Sequence, residues 1–359
     1  MKYGTVCSGI EAPSAAWDSL GWEPVWFSEI DDFPSSVLNH YYPHVPNHGD
    51  MNNILKNGAE PVELICGGTP CQSFSVAGLR KGLDDPRGNL ALVYLGIVEK
   101  LRPRWVIWEN VPGVLSSNRG RDFGAFIGAL GKLGYGWSYR VLDAQYFGVP
   151  QRRRRVFVVA HSSGDWRCAA SVLFERESLS RYSAPGEKTG QETARGTGDG
   201  PYPTINAMSG QKWGSNQWIN NGEWILTNAE GKKGMPSFTA SSASKQFNNQ
   251  QTLAISKTFT QNSRDEVRYI EGNVAGALSA NEGMKQRTYL HEAELVRRLT
   301  PLEYERLQGF PDNYTLVPYK GKPSKDTPRY KALGNSMAVP VMKWLGERII
   351  FFEKAVTNL

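Results

Sequence analysis

No stretch of this sequence holds the roughly eighteen consecutive apolar residues that a bilayer-spanning helix needs. The opening MKYGTVCSGIEAP also lacks the charged-then-apolar order of a secretory leader. These absences predict a cytoplasmic protein with no membrane partner. Cysteine is scarce. The four thiols, Cys7, Cys66, Cys71 and Cys168, are too few to staple a chain of 359 residues, and none forms a C-x-x-C pair, so reduced thiols are expected. The phosphate-cradling pattern G-x-G-x-x-G is missing too, which argues against a dinucleotide-dependent oxidoreductase. His40, His44 and His48 have the spacing of metal ligands, but Pro43 and Pro46 break any helix that would align them, so no metal is expected.

What is present is mildly basic. The formal net charge of +6 suits a polyanionic partner without requiring one. Short apolar runs alternate with amphipathic segments over the first 160 residues, the pattern of a doubly wound, mostly parallel α/β sheet. Strands are expected at 3–7, 24–28, 62–66, 105–108, 139–142 and 155–159, and helices at 13–20, 33–41, 89–101 and 123–133. Past His161 the composition turns to Gly, Ser, Thr, Asn and Gln, and from about 180 to 286 no amphipathic period survives. This stretch reads equally well as short strands with polar turns or as irregular loops. Helices return at 300–308, with Thr300 as N-cap and Pro301 in the first turn, and at 339–355 after a GNS turn. The expected organisation is a catalytic and cofactor-binding domain, 1–165 completed by 330–359, with a smaller domain at 166–329.

In such a sheet, ligands bind at the carboxyl ends of the strands. Four loops there carry polar or reactive groups: CSGIEAPSAAW, FSEID, GGTPCQSFS and WENVPGV. Gly9 lets the first loop come close to a ligand, and Glu29 can accept bonds from ribose hydroxyls. With Glu11 standing where a pyrophosphate would want glycine, a nucleoside without phosphates, such as S-adenosylmethionine, fits better. Gly9 is equally at home in a plain strand–helix turn. Cys71 follows Pro70, which fixes the backbone, and the pair Gly67–Gly68, which permits a sharp turn out of the strand, so that the thiol is held out as a nucleophile; most cysteines are inert, half-buried thiols. Glu109, between Trp108 and Asn110, is placed to have a raised pKa and act as an acid, or else to cap a helix or pair with an arginine. If QRRRRVFVV is extended, Gln151, Arg153 and Arg155 share one face and Arg152 and Arg154 the other. The bland reading of four arginines in a row is a solvated stretch.

Taken in order, CSGIEAPSAAW, FSEID, GGTPCQSFS, RGNLALVYLGIVEKLRPRWVIWENV, YFGVPQRRRRVFVV, RRLTPLEYERLQGFPD and YKALGNSMAVPV resemble the motif series of the DNA (cytosine-5) methyltransferases. The resemblance covers residues 1–161 and 296 onward. It implies that Cys71 adds to C6 of a cytosine flipped out of double-stranded DNA, that Glu109 bonds the base at N3 and N4, and that Arg155 holds O2 with Arg153 in support. It implies S-adenosylmethionine as cofactor, with Glu29 at the ribose and Asp50 at the adenine amino group. Cys7, Ser8, Gly9, Ile10, Ile30, Gly68, Pro70, Leu90, Asn335 and Ser336 fall on further cofactor-lining positions. Ser75, Arg80, Lys81 and Arg87 belong to a segment, 73–89, that resembles the loop closing over the extruded base; Gln72 falls on a DNA-contacting position, and Gln151 braces its motif beside the DNA. The variable middle would read the target sequence, and the protein would act as a monomer. The sequence departs from the usual pattern at Cys7 and Ile30, where aromatics are common, and at Glu11–Ala12, where a glycine pair is usual. Two alternatives keep the fold: a non-catalytic DNA-binding protein, and an enzyme acting on tRNA cytosine.

Overall fold

A computed structural model describes residues 1–70, 90–174, 258–262, 267–270, 286–292 and 295–357. They all fall in one unit, Met1–Leu179 with Ile255–Leu359; the other unit, Ser180–Ala254, lies outside the described residues.

All six expected strands of the first half form, as β1 (Lys2–Val6), β2 (Glu23–Trp26), β3 (Leu64–Gly67), β4 (Trp105–Asn110), β5 (Gly136–Asp143) and β6 (Arg154–His161). They make one sheet in the order β2-β1-β3-β4-β6-β5. Neighbours among β1 to β4 are parallel, while β6 runs antiparallel to both β4 and β5. That reversal has a consequence for the site. The chain enters β6 at the edge where β4 ends, so Asn110 lies opposite Val156 and Asp143 opposite Arg154.

Alternation along the strands sends side chains to two helix layers. Val106, Trp108, Val156 and Val158 pack with Leu92, Leu95 and Val98 of α3 (Leu90–Leu101) and with Phe123, Phe126 and Leu130 of α4 (Arg121–Lys132). The first two helices of the chain are α1 (Ala12–Trp17) and α2 (Asp32–Tyr41). On the other face α1, α5 (Trp166–Leu173) and the C-terminal helix α8 (Val339–Thr357) gather, with Phe352 edge-on to Trp105. Trp17 donates from Nε1 to the Met342 carbonyl at 2.7 Å, and Gly346 admits that ring, since a Cβ there would sit 2.7 Å from Trp17 Nε1. Each fully buried Leu, Ile or Val in these layers contributes roughly 1.5–3 kcal/mol. Helix α5 follows position 165 directly, yet it packs on β5 and β6 and serves the sheet.

Four further strands, β7 (Thr258–Asn262), β8 (Val267–Ile270), β9 (Gln286–Glu292) and β10 (Leu295–Arg298), form an antiparallel sheet in the order β10-β9-β7-β8. β7 and β8 fall within the polar stretch, which at those positions is strand. The next helix, α6 (Pro301–Gln308), starts as expected: Thr300 Oγ1 accepts from the Glu303 N–H while the Glu303 carboxylate accepts from the Thr300 N–H, a reciprocal capping box. A two-stranded hairpin, β11 (Pro318–Tyr319) and β12 (Lys322–Pro323), leads to α7 (Asp326–Asn335). Sequence reading did not anticipate α7. It took GNS as a turn, whereas Gly334 and Asn335 close a helix whose buried residues include Arg329.

Candidate active site

At the carboxyl edge of β1 to β4 the structure opens a cavity of about 1110 Å³. Of the residues singled out from sequence, it is lined by Cys7, Ser8, Gly9, Glu29, Ile30, Asp50, Gly68, Pro70, Leu90, Glu109, Arg153, Arg155, Asn335 and Ser336. Ile10 is fully buried beneath the lining, its carbonyl accepting from the Tyr314 hydroxyl at 3.0 Å. Gln151 is also fully buried, and its amide has no hydrogen-bond partner among the described residues. That burial suits a brace and leaves no surface to meet DNA. Cys71, Gln72, Ser75, Arg80, Lys81 and Arg87 lie outside the described residues. Residues His44 and His48 fall beyond the end of α2, and among the described residues no cluster of His, Cys, Asp or Glu is arranged to hold a metal ion.

One end of the cavity is built around Glu109. Its Oε1 meets Arg155 Nε at 3.1 Å, and both side chains are mostly buried. Burial raises the Glu109 carboxyl above its ordinary range, and the charges of Arg155 and then Arg153 pull it part of the way back. Arg153 is held from behind, donating from Nη2 to the carbonyls of Ser336 at 2.6 Å and Gly334 at 3.2 Å. Its Nε and Nη1 are buried with no partner among the described residues. Gly68 explains how the β3 loop comes so close: a Cβ there would sit 2.8 Å from Glu109 Oε2. Gly67 is similar, since its Cβ would lie 2.5 Å from the Val6 carbonyl oxygen. Neither glycine adopts a left-handed backbone, so the pair serves close approach rather than the sharp turn expected from sequence.

Two residues that sequence reasoning did not assign complete this end. Thr69 Oγ1 accepts from Trp108 Nε1 at 3.0 Å, and Asn110 Nδ2 donates to the Thr69 carbonyl at 2.8 Å. These bonds tie the segment leading to Cys71 onto the strand that carries Glu109. The signal was an amide at a strand end, as Asn110 in WENV, which needs a partner when buried.

At the other end, Gly9 adopts φ 59° with open space where a Cβ would lie, so its backbone faces the cavity directly. The Glu29 carboxylate accepts from the N–H of Gly9 at 2.7 Å and of Asp31 at 2.8 Å, one bond to each oxygen. Each oxygen keeps a lone pair for a further donor. Across the cavity mouth, Lys331 pairs with Asp31 at 2.8 Å, joining α7 to the loop after β2. Cys7 has φ 50°, its thiol points at Met51 Sδ at 3.8 Å, and burial, reinforced by Glu29 and Asp50, pushes it up to about 12. It is a neutral, apolar wall.

Glu11, the departure from a glycine pair, is part of the scaffold. It is fully buried, has φ 59° and caps α1, accepting from the Ser14 N–H at 3.2 Å, from Ser14 Oγ at 2.6 Å and from the Thr5 hydroxyl. Burial outweighs these bonds and moves its pKa from 4.5 to about 7. Between those values the folded protein holds a proton that the unfolded chain releases. Stability therefore falls as pH rises through that window, by on the order of 3 kcal/mol. Urea unfolding at pH 5 and pH 8 should show this loss, and Glu11→Gln should flatten it.

Comparisons with known proteins bear on the family and the fold. The sequence matches the family described as C-5 cytosine-specific DNA methylase over residues 1–351. A protein of Escherichia phage P1 named DNA N-6-adenine-methyltransferase is 34% identical over 97% of this chain, and the chain spans 61% of that relative's length. Type II methyltransferase M2.BsuMI of Bacillus subtilis is 28% identical, covering 97% of this chain and 75% of its own. Among solved structures, the S. pombe Dnmt2 methyltransferase superposes with a TM-score of 0.56 at 17% identity, over 98% of each chain, a likeness of fold. With the family match running from the first strand into the last helix, and with a doubly wound sheet beneath the cavity, this chain belongs to the C-5 cytosine-specific DNA methylases.

Proposed function

We propose that the protein methylates C5 of a cytosine extruded from double-stranded DNA, in a defined sequence context, using S-adenosylmethionine. The observation that carries this reading is the buried Glu109 carboxyl, paired with Arg155 at 3.1 Å and touching the glycine that leads, through Thr69 and Pro70, to Cys71. Cytosine C5 is a poor nucleophile until something adds to C6. Cys71 forms the sulfur–C6 bond as a thiolate, the ring electrons move toward C5, and Glu109 places a proton at N3. Arg155 holds O2, and Arg153, fixed by the Ser336 carbonyl, keeps Arg155 in position. Once C5 carries the methyl group, loss of the C5 proton to a base and of the thiolate from C6, with the N3 proton returning to Glu109, restores the ring.

The residues at the opposite end fit the cofactor. Glu29 has lone pairs to receive ribose hydroxyls, Gly9 offers bare backbone, Asp50 is exposed for the adenine amino group, and Leu90, Asn335 and Ser336 line the walls. S-adenosylmethionine supplies, when bound, an electrophilic methyl group. Residues 1–165 with 330–359 form the catalytic part in this reading, with α5 attached to it, and the rest of 166–329 reads the target sequence. The protein works as a monomer in the cytoplasm, in restriction–modification or in phage DNA modification. A second reading, methylation of an adenine amino group, draws on the name of the phage P1 relative.

Duplexes containing 5-fluorocytosine, which blocks loss of the C5 substituent, separate the two. With S-adenosylmethionine present the protein should form a covalent complex that survives denaturation, and Cys71→Ser should form none. Absence of an adduct with any duplex pool, alongside N6-methyladenine in nucleoside digests, would overturn the cytosine reading.

A further inference from the structure

We propose that Arg152 and Arg154, with the exposed ring of Tyr146, form a docking surface for the DNA phosphate backbone beside the cavity; this rests on the DNA methyltransferase reading above. The four consecutive arginines are divided by the fold. Arg153 is buried and Arg155 is half-buried against Glu109, whereas Arg152 and Arg154 are exposed. The inward pair is committed to Ser336, Gly334 and Glu109. The outward pair has no ion pair with any described residue. The nearest acid in the ladder, Asp143 opposite Arg154, is turned elsewhere, accepting from the Arg153 N–H at 2.9 Å and from Gln145 Nε2 at 2.7 Å. Among the described residues, two cations are thus left without an acidic partner at the start of β6.

Their direction is set by their neighbours. A slip of one residue would bury Arg152 and Arg154 and expose the pair that serves the site, so the anchoring of Arg153 and Arg155 also fixes what faces solvent. Tyr146 lies in the short turn that follows Asp143 and is 80% exposed, and the start of that turn is tied to the arginine segment because the Ala144 N–H donates to the Arg153 carbonyl at 3.1 Å. Its neighbour Phe147 packs on Trp344, leaving the tyrosine as the outward ring. Arginine and tyrosine are residue types that bond phosphate oxygens and orient a duplex without reading its sequence. The surface is continuous with the site, since Arg155, which lines the cavity, is the next residue along the same strand. A strand whose base occupied the cavity would bring its flanking phosphates past these side chains.

The test is the salt dependence of DNA binding by the full chain, measured with random-sequence duplex and with duplex from cells that express the protein. Arg152→Gln/Arg154→Gln should make the slope of log K against log salt shallower by about 2, to the same extent on both DNAs. Arg152→Lys/Arg154→Lys should restore the slope, and Lys132→Gln, at the opposite end of β5, should leave it unchanged. An unchanged slope, or a loss confined to one DNA, in variants that still form the 5-fluorocytosine adduct would overturn this docking surface while leaving the methyltransferase reading intact. Failure of the wild-type protein to bind DNA or form an adduct would instead remove that reading, and this one with it.

Discussion

Replacing Glu109 by glutamine is expected to lower the rate of methyl transfer by about 10²- to 10⁴-fold, the usual contribution of a positioned acid, while cofactor binding stays near the wild-type level. Glutamine keeps the shape beside Gly68, so the loss isolates the proton. It cannot place one on N3, although its amide oxygen can still accept from Arg155 Nε. The pH profile gives an independent check. Burial raises the Glu109 carboxyl above the ordinary glutamate range, so the protonated form persists to higher pH than on a free side chain. Activity that needs this proton falls as pH rises through the raised value. The wild-type profile of kcat/KM should carry that alkaline-going loss, and the residual rate of Glu109→Gln should lack it. A variant with unaltered kcat, or one that keeps the same limb, would remove Glu109 from the chemistry.

The second large effect is on stability and lies away from the cavity. Glu305 in α6 is completely buried and accepts from the N–H groups of Asn313 at 2.7 Å and Thr315 at 2.8 Å, from the Thr315 hydroxyl, and from Arg329 Nη2 at 3.0 Å. One carboxylate thus gathers the turn after α6 and pins α7 onto it. Arg329→Met would leave that charge buried without its cation, at a cost of about 3–5 kcal/mol. Denaturant unfolding should show this as a lower midpoint, and Glu305→Gln/Arg329→Met should recover most of it, because the uncompensated charge is gone. Equal midpoints for wild type and Arg329→Met would show that the pair carries no net stabilisation. The same helices matter to the site. Gln308 of α6 donates to the Leu333 carbonyl at 2.7 Å, and the end of α7 presents the Gly334 and Ser336 carbonyls to Arg153.

What could be read from the sequence was written in short-range pattern. Short apolar runs placed all six strands of the first sheet, the spacing of Leu92, Leu95 and Val98 placed a helix against it, and Thr300 with Pro301 marked a helix start. The period of two through Gln151–Arg155 separated inward from outward arginines before any contact was known. Each of these depends on residues within a few positions of one another, and so survives in the linear order. Helix α7 was not legible, because its inner face carries Arg329 as well as Ala332 and Leu333, and a buried arginine removes the apolar period. The cause of Gly68 was misread for a related reason: Glu109 lies on another strand, and only strand pairing brings its carboxylate to 2.8 Å from where a Cβ would stand. Glu11 looked like a defect in a ligand loop and proved to be a buried acid that caps α1 through Ser14 and also meets Thr5 of β1. The sequence by itself therefore determined the elements, the motif order and the candidate chemistry. The tertiary structure decided which polar groups lose water and which partners they gain, because the partners of Glu109 and Arg153 are residues distant in the chain.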